Sequence, residues 1–462
     1  MLLHRVADYA LTLGGVNSGV VCMKLPTFFK STAIRAALVV VLVGCGFLAG
    51  YLAHQHRVFP SIFFVKRMLH AIGYLDTAHR VQDQGLAAIV PATTKLSVES
   101  GYYMLEGMVY DLPISGALSY GGIAAFGDGI IFVDGDGLTW FFRDGAFNQI
   151  GAKTVPSNKQ AFLEKAETID INDRQFAVKD IAIINGSEIV ASAVEYDSDG
   201  DCVVVAIYRA PIALGDTMPE FTGDWTRIFR AHPCFELGEY ETLYPHMLMA
   251  GGRIIQISDS EILFSVGTMV GLWEAGPDLA QDPAAHYGKI IRLDLETLEA
   301  EIYATGVRNP QGLLRLDDGR IFETEHGPQG GDELNVILEG RNYGWPATTY
   351  GTDYNELIWP LEEPADAVAA YEKPKFSWLP SIAPSQLIEV TSEDLPRWRG
   401  DLLIAALIGE GLFRVRLIGS TPVLVEQIYM GLRIRDIMNY QGGFALQTDR
   451  TNELVLLKRM DD

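Results

Sequence analysis

From about residue 95 onward the chain alternates short apolar runs with Gly/Asp turns, and no long stretch there carries a 3.6-residue apolar period. Residues 130–133, 203–207, 262–266 and 402–406 are runs of Ile, Val, Leu, Phe, Ala and Ser. Runs of that length and composition predict strands. Between them fall Gly127-Asp128-Gly129, Asp134-Gly135-Asp136-Gly137, Asp199-Gly200-Asp201 and Asp317-Asp318-Gly319. Gly and Asp tolerate the dihedrals of tight turns, so hairpin chemistry explains these strings. The string at 134–137 also looks like a calcium loop but lacks the downstream Glu ligand.

A loose repeat follows from this texture. Units of roughly 50 to 60 residues hold an apolar strand, a Gly/Asp turn, a second apolar strand and often an Arg-bearing closing strand. Tyr208-Arg209, Arg292-Leu293-Asp294, Phe413-Arg414-Val415-Arg416-Leu417 and Leu456-Leu457-Lys458 occupy that closing slot. A region of about 365 residues divided by such a period gives about six units. Radially repeated sheets leave few open edges and an axial funnel for a ligand. The predicted fold class is all-β, a propeller spanning residues 96–462.

The N-terminal region differs. Residues 36–53 carry no charged side chain, about 18 positions or roughly 27 Å of helix, enough to span a bilayer. Gly46 and Gly50 form a GxxxG pair suited to helix contacts. The expected organisation is a basic segment at 1–33, a transmembrane or signal-anchor helix at 34–54 and an amphipathic linker at 55–95. A cleaved signal starting at Met23 is the rival reading, with Lys24 and Lys30 as its basic region. Leu42-Val43-Gly44-Cys45 resembles a lipoprotein box, although the apolar run continues past it. Charge leaves orientation tied: Lys24, Lys30 and Arg35 precede the span, and Arg57, Lys66 and Arg67 follow it.

Charge narrows the partners. Lys+Arg number 36 against 59 Asp+Glu in 462 residues, a net charge of −23. That acidity argues against a nucleic-acid groove and against broad adhesion to anionic lipid. Four cysteines without zinc spacing exclude a disulfide scaffold. Cys202 and Cys234 would pair in an oxidising compartment, but buried free thiols are the default expectation.

The densest chemistry lies at residues 308–346. Glu325-His326-Gly327-Pro328-Gln329-Gly330-Gly331-Asp332-Glu333 packs acids, a His, a Pro and three glycines into one short run. Glycine lets backbone approach a ligand closely, and carboxylates and bare carbonyls are what calcium selects. A simple turn between strands would use a similar composition.

The flanking strings carry a resemblance. Arg308-Asn309-Pro310-Gln311-Gly312, Gly331-Asp332-Glu333-Leu334-Asn335 and Asn342-Tyr343-Gly344-Trp345-Pro346 resemble the PQQ-dependent aldose sugar dehydrogenases, the glucose/sorbosone dehydrogenase family. Ser381-Ile382-Ala383-Pro384-Ser385, Gly400-Asp401-Leu402-Leu403-Ile404 and Arg433-Ile434-Arg435-Asp436 agree in order. The likeness is specific from about 245 to 458 and weak from about 100 to 244. It implies a six-bladed β-propeller holding pyrroloquinoline quinone (PQQ) on calcium in its axial pocket.

Residue by residue, the resemblance implies that the carbonyls of Gly327 and Pro328 ligate that calcium. Arg308, Gln311 and Arg435 would contact the cofactor, and planar guanidinium forks suit a tricarboxylate quinone. For Arg308 and Arg435 the bland reading is bridging between blades. Glu333 and Tyr343 match a second calcium site of some members. The catalytic half departs from the pattern. Where the family has its proton-abstracting histidine, four residues before an arginine, this chain has Met249 before Arg253. A thioether cannot act as a general base. The histidine's acidic partner is replaced by Thr268, and a cofactor lysine by Ile408. His246, three residues early, is the candidate catalytic residue as a shifted base, with Asp436 or Glu325 as other acids.

Two functions follow. One is a membrane-anchored sugar dehydrogenase, periplasmic or otherwise extracytoplasmic, oxidising the anomeric hydroxyl of a sugar or related polyol by hydride transfer to the calcium-bound quinone. The other is an inactive propeller binding a ligand or protein at the membrane. Neither excludes a homodimer.

Overall fold

The computed structural model describes residues 94–460 apart from 115–119, 170–175, 238–246, 270–278 and 353–368. The anchor expected at 34–54 and its flanks lie outside the described residues, and no described helix is long and apolar enough to cross a membrane.

Six sheets carry the described residues, as the repeat predicts, all antiparallel except for the parallel pairing of Ala300–Thr305 with Arg341–Asn342. Their innermost strands are Gly121–Phe126, Val178–Ile184, Gly251–Gln256, Pro310–Arg315, Pro384–Glu389 and Ile434–Tyr440, taken as blades one to six. Each inner strand touches those of the next and the preceding blade, and the sixth touches the first, so the sheets surround a common axis. The interval between inner strands is uneven along the chain.

The last blade closes the ring. Its inner three strands are C-terminal, and Met104–Asp111 pairs with Glu453–Arg459 while Thr94–Glu99 lies outside it. Arg-bearing segments fall on third strands, Cys202–Leu214, Lys289–Asp294, Gly411–Ile418 and Glu453–Arg459, and each has a further strand outside it, so they do not close their blades as the repeat predicts.

Apolar residues fill the seams between blades. Ile131, Phe141, Ile189 and Ala206 join blades one and two, and Val190, Val204, Phe264 and Ile291 join two and three. Leu263, Ile290, Leu313 and Ile337 seal the third seam. Phe322, Leu387, Leu402 and Phe413 seal the fourth, and Leu403, Leu412, Phe444 and Leu457 the fifth. Phe132, Phe142, Ala445 and Leu454 complete the circle. Because both faces of a blade are covered, the second strands read as continuous apolar runs rather than as alternation; Gly129–Asp134 is buried throughout.

Cys202 and Cys234 form a disulfide, contrary to the expected free thiols. Phe235–Glu236 pairs with the start of Cys202–Leu214, and that pairing brings two cysteines 32 residues apart into bonding range.

Candidate functional site at the axial mouth

In each blade the inner strand runs antiparallel to the second, so the start of one lies beside the end of the other. The resemblance-derived residues collect at this one end of the axis. Arg308 and Asn309 precede an inner strand, His326, Gly327 and Thr268 follow second strands, and Arg435 lies at the start of the sixth inner strand.

Arg308 is 6% exposed, and its Nη1 donates to the His326 carbonyl at 3.0 Å and the Gly327 carbonyl at 2.7 Å. Its guanidinium also lies 5.0 Å from the centre of the Trp345 ring. Thus the Arg308 side chain braces the turn of its own blade. Glu325 accepts from the backbone N–H of Arg308 and of Asn309, pinning the strand start to the strand end. Burial pushes the Glu325 carboxyl up to about 7 against those hydrogen bonds. His326 Nε2 lies 2.7 Å from the Pro384 carbonyl, which can only accept, so the ring is protonated there and Nδ1 accepts from Asn309 at 3.4 Å. Burial holds its pKa below the ordinary value, so the imidazole is neutral.

The turn is tightly determined. A side chain on Gly327 would collide with the Gly330 carbonyl oxygen. Asp332 accepts from the Gly327 N–H at 3.1 Å and, with its other oxygen, from the N–H groups of Ile382 and Ala383 at 2.8 Å. Pro328 is buried beside Gly327.

Gln311 joins Asn309 to Arg435. It donates to Asn309 Oδ1 at 2.8 Å, and its own Oε1 lies 3.5 Å from Arg435 Nη1. Arg435 also approaches Asp449 of its own blade at 3.5 Å, while its contact with Gln311 links blade six to blade four. Glu333 turns away from the mouth toward Asn335, whose Nδ2 lies 3.1 to 3.4 Å from Glu323, Glu325 and Glu333. The Tyr343 hydroxyl donates to the Val336 carbonyl at 2.6 Å, and the ring packs in the seam between blades three and four. His246 lies outside the described residues.

Asp436, weighed as a substitute base, is committed elsewhere. It is 2% exposed and accepts from Arg253 Nη1 at 3.0 Å and from the N–H groups of Ile123 and Ile437. Met249 and Thr268 are neighbours, as the resemblance requires of their positions: the N–H of Met269 donates to the Met249 carbonyl, and that of Thr268 to the Arg308 carbonyl. Thr268 Oγ1 is buried with no hydrogen-bond partner. Ile408 is 60% exposed.

Sequence reading missed Lys179 and Tyr120, which stand at the same end. Lys179 Nζ lies 4.6 Å from the Tyr120 ring centre, and the Arg435 guanidinium lies 5.5 Å from it. The only sequence signal was position, at the start of an apolar strand.

A tricarboxylate quinone on calcium fits these residues. Arg435 Nε is a buried donor with no partner, Arg308 presents a guanidinium, and the Gly327 carbonyl, which accepts from Arg308, keeps a second lone pair for an ion. Among the described residues no three His, Cys, Asp or Glu side chains form a metal-holding group. A cation here would therefore rest on carbonyls and on the ligand's own oxygens.

Residues 224–457 match the glucose/sorbosone dehydrogenase sequence family. The chain belongs to that family. It is 29% identical over 260 residues to the aldose sugar dehydrogenase YliI of Escherichia coli, covering 52% of this chain and 66% of that one. An uncharacterized protein of Synechocystis is 31% identical over 261 residues, 50% of this chain and 59% of its own length. The chain thus spans less than two thirds of these relatives. The soluble aldose sugar dehydrogenase of E. coli, solved in its apo form, superimposes with TM-score 0.61 at 23% identity, over 77% of this chain and 100% of that one. The PQQ-bound aldose sugar dehydrogenase of Streptomyces coelicolor gives 0.55 at 21% identity, over 76% and 98%. At such identities the likeness establishes the six-bladed fold.

Proposed function

We propose that this family member binds pyrroloquinoline quinone on calcium at the axial mouth and acts on a sugar or related polyol. The observation that carries the reading is the junction of Arg308 with the Gly327 carbonyl, with Arg435 joined through Gln311 and Asn309 on the same floor. Gly327 and Pro328 would hold the ion through their carbonyls, and Arg308, Gln311 and Arg435 would hold the ligand's anionic oxygens. The bound quinone supplies a two-electron hydride acceptor. Asp332 fixes the turn, neutral His326 orients Asn309, and Trp345 shields one face of the Arg308 guanidinium.

Proton abstraction is where this chain differs. Met249, Thr268 and Ile408 supply no base, no carboxylate and no amine at the family positions. These replacements favour the second reading, a propeller that binds the ligand without turning sugar over. The Cys202–Cys234 disulfide supports an extracytoplasmic domain. With the apolar segment at 36–53, it supports tethering at a membrane surface.

Calorimetric titration with the quinone, with and without calcium, tests binding; dye reduction across a panel of aldoses separates the readings. Calcium-dependent binding with sugar-dependent reduction supports the dehydrogenase, and binding without reduction supports the ligand-binding propeller. No binding under either condition would sink both.

A further inference from the structure

Lys179 lies at a break in its strand. Val178 pairs with Ala193 and Asp180 with Ser192, so the register shifts across Lys179. A bulge of this kind re-aims a side chain, here between neighbours that are both buried. Gly252 in the adjoining blade leaves room for it: a Cβ there would stand 2.6 Å from Lys179 Cβ. The lysine stem therefore passes the glycine pair that follows Met249, and its ammonium lies over Tyr120, the ring that Arg435 also approaches. Three blades thus gather a lysine, a tyrosine face and an arginine around one point.

We propose that Lys179 is a ligand-contacting residue of the axial mouth, binding an anionic oxygen of the ligand together with Arg435. This rests on the quinone-binding reading above. It also relocates a missing function: the amine absent at Ile408 in blade five is supplied from blade two, on the opposite side of the ring.

The surroundings of the amine give the proposal a signature. Burial first, then the positive charges of Arg435 in blade six and Lys159 on the helix Lys159–Ile169, push the Lys179 amine down to about 7. Lys159 is itself paired with Asp136, and the Tyr120 ring lies beside the ammonium. A carboxylate arriving beside the amine favours its charged form. Ligand binding at about pH 8, where the amine is largely neutral, is then coupled to proton uptake. At about pH 5.5 the amine already carries its proton, and uptake through it vanishes.

Calorimetry of quinone binding to the full chain with calcium, in two buffers of different ionisation enthalpy, reads this directly. Expected is uptake of roughly one proton at about pH 8, lost at about pH 5.5. Lys179→Met is expected to weaken binding about tenfold and abolish the uptake. Lys179→Arg keeps the charge, so it is expected to retain binding within about threefold while the uptake disappears. That variant decides the matter should the methionine form fail to fold. No binding by the wild type overturns the cofactor reading and this assignment together. Binding with no buffer dependence, or with uptake unchanged in either variant, overturns the Lys179 assignment alone.

Discussion

Arg253 of blade three meets Asp436 of blade six at 3.0 Å, on the axis of the propeller. The same guanidinium donates to Asp180 of blade two at 2.8 Å, to the Gln311 carbonyl of blade four at 2.7 Å and to the Arg435 carbonyl of blade six at 2.8 Å. Asp436 in turn accepts from the Ile123 N–H of blade one at 3.0 Å. One side chain and its two carboxylates therefore tie five blades together beneath the candidate site.

Removing that cation leaves two buried carboxylates facing each other. Arg253→Met is expected to destabilise the fold by ~3–5 kcal/mol, because uncompensated buried charge costs more than the pair contributes. Urea unfolding followed by tryptophan fluorescence measures it. A loss below about 1 kcal/mol would show that water reaches the hub.

Acidity should stabilise this hub. Burial, partly offset by Arg253 and reinforced by Asp436, pushes the Asp180 carboxyl up to about 7. In the unfolded chain it titrates near 4, so between about 4 and about 7 the folded state holds a proton that the unfolded state has released. This group's contribution to stability is therefore greatest at the acidic end and declines as pH rises through that window. Unfolding midpoints at about pH 5.5 and about pH 8 are expected to differ less in Asp180→Asn than in wild type. An undiminished difference in the variant would assign the effect to other acids.

Gly327 admits no substitution in its present conformation, since any Cβ meets the Gly330 carbonyl. Gly327→Ala is expected to lower calcium-dependent quinone affinity at least about tenfold by displacing its own carbonyl. Titration calorimetry gives the number. Unchanged affinity would remove the turn from the binding site.

Restoring the departed residues tests what was lost. The triple variant Met249→His, Thr268→Asp and Ile408→Lys is expected to raise sugar-dependent dye reduction by about 10²–10⁴-fold over wild type, the usual range for a positioned base. A wild type already as fast as the triple variant would place the base elsewhere.

The Cys202–Cys234 bond closes a loop of 32 residues. Cys202→Ser with Cys234→Ser is expected to cost ~3–4 kcal/mol, chiefly through the freer unfolded chain. Thermal melting of the double variant checks it, and a shift of under one degree would show that the pairing β-strands hold the loop unaided.

Much of the fold was legible because propeller strands are buried on both faces, and runs such as Ile130-Ile131-Phe132-Val133 announce that directly. The turn at Gly327 was legible because its glycines and carbonyl-bearing proline have a chemical reason to cluster. Arg253, Lys179 and Tyr120 were not. Each matters through partners in other blades, 183 positions away along the chain in the case of Arg253 and Asp436, and no local pattern encodes such meetings. The disulfide escaped for the same reason, since strand pairing rather than cysteine spacing brings its halves together.

The final blade joins strands from both extremities of the propeller, with Met104–Asp111 clasped against Glu453–Arg459. A ribosome must therefore release the strand Glu453–Arg459 before the circle can shut. Until then the earliest strands wait with an open flank, and any truncation that removes the last hairpin leaves the axial mouth without its sixth wall.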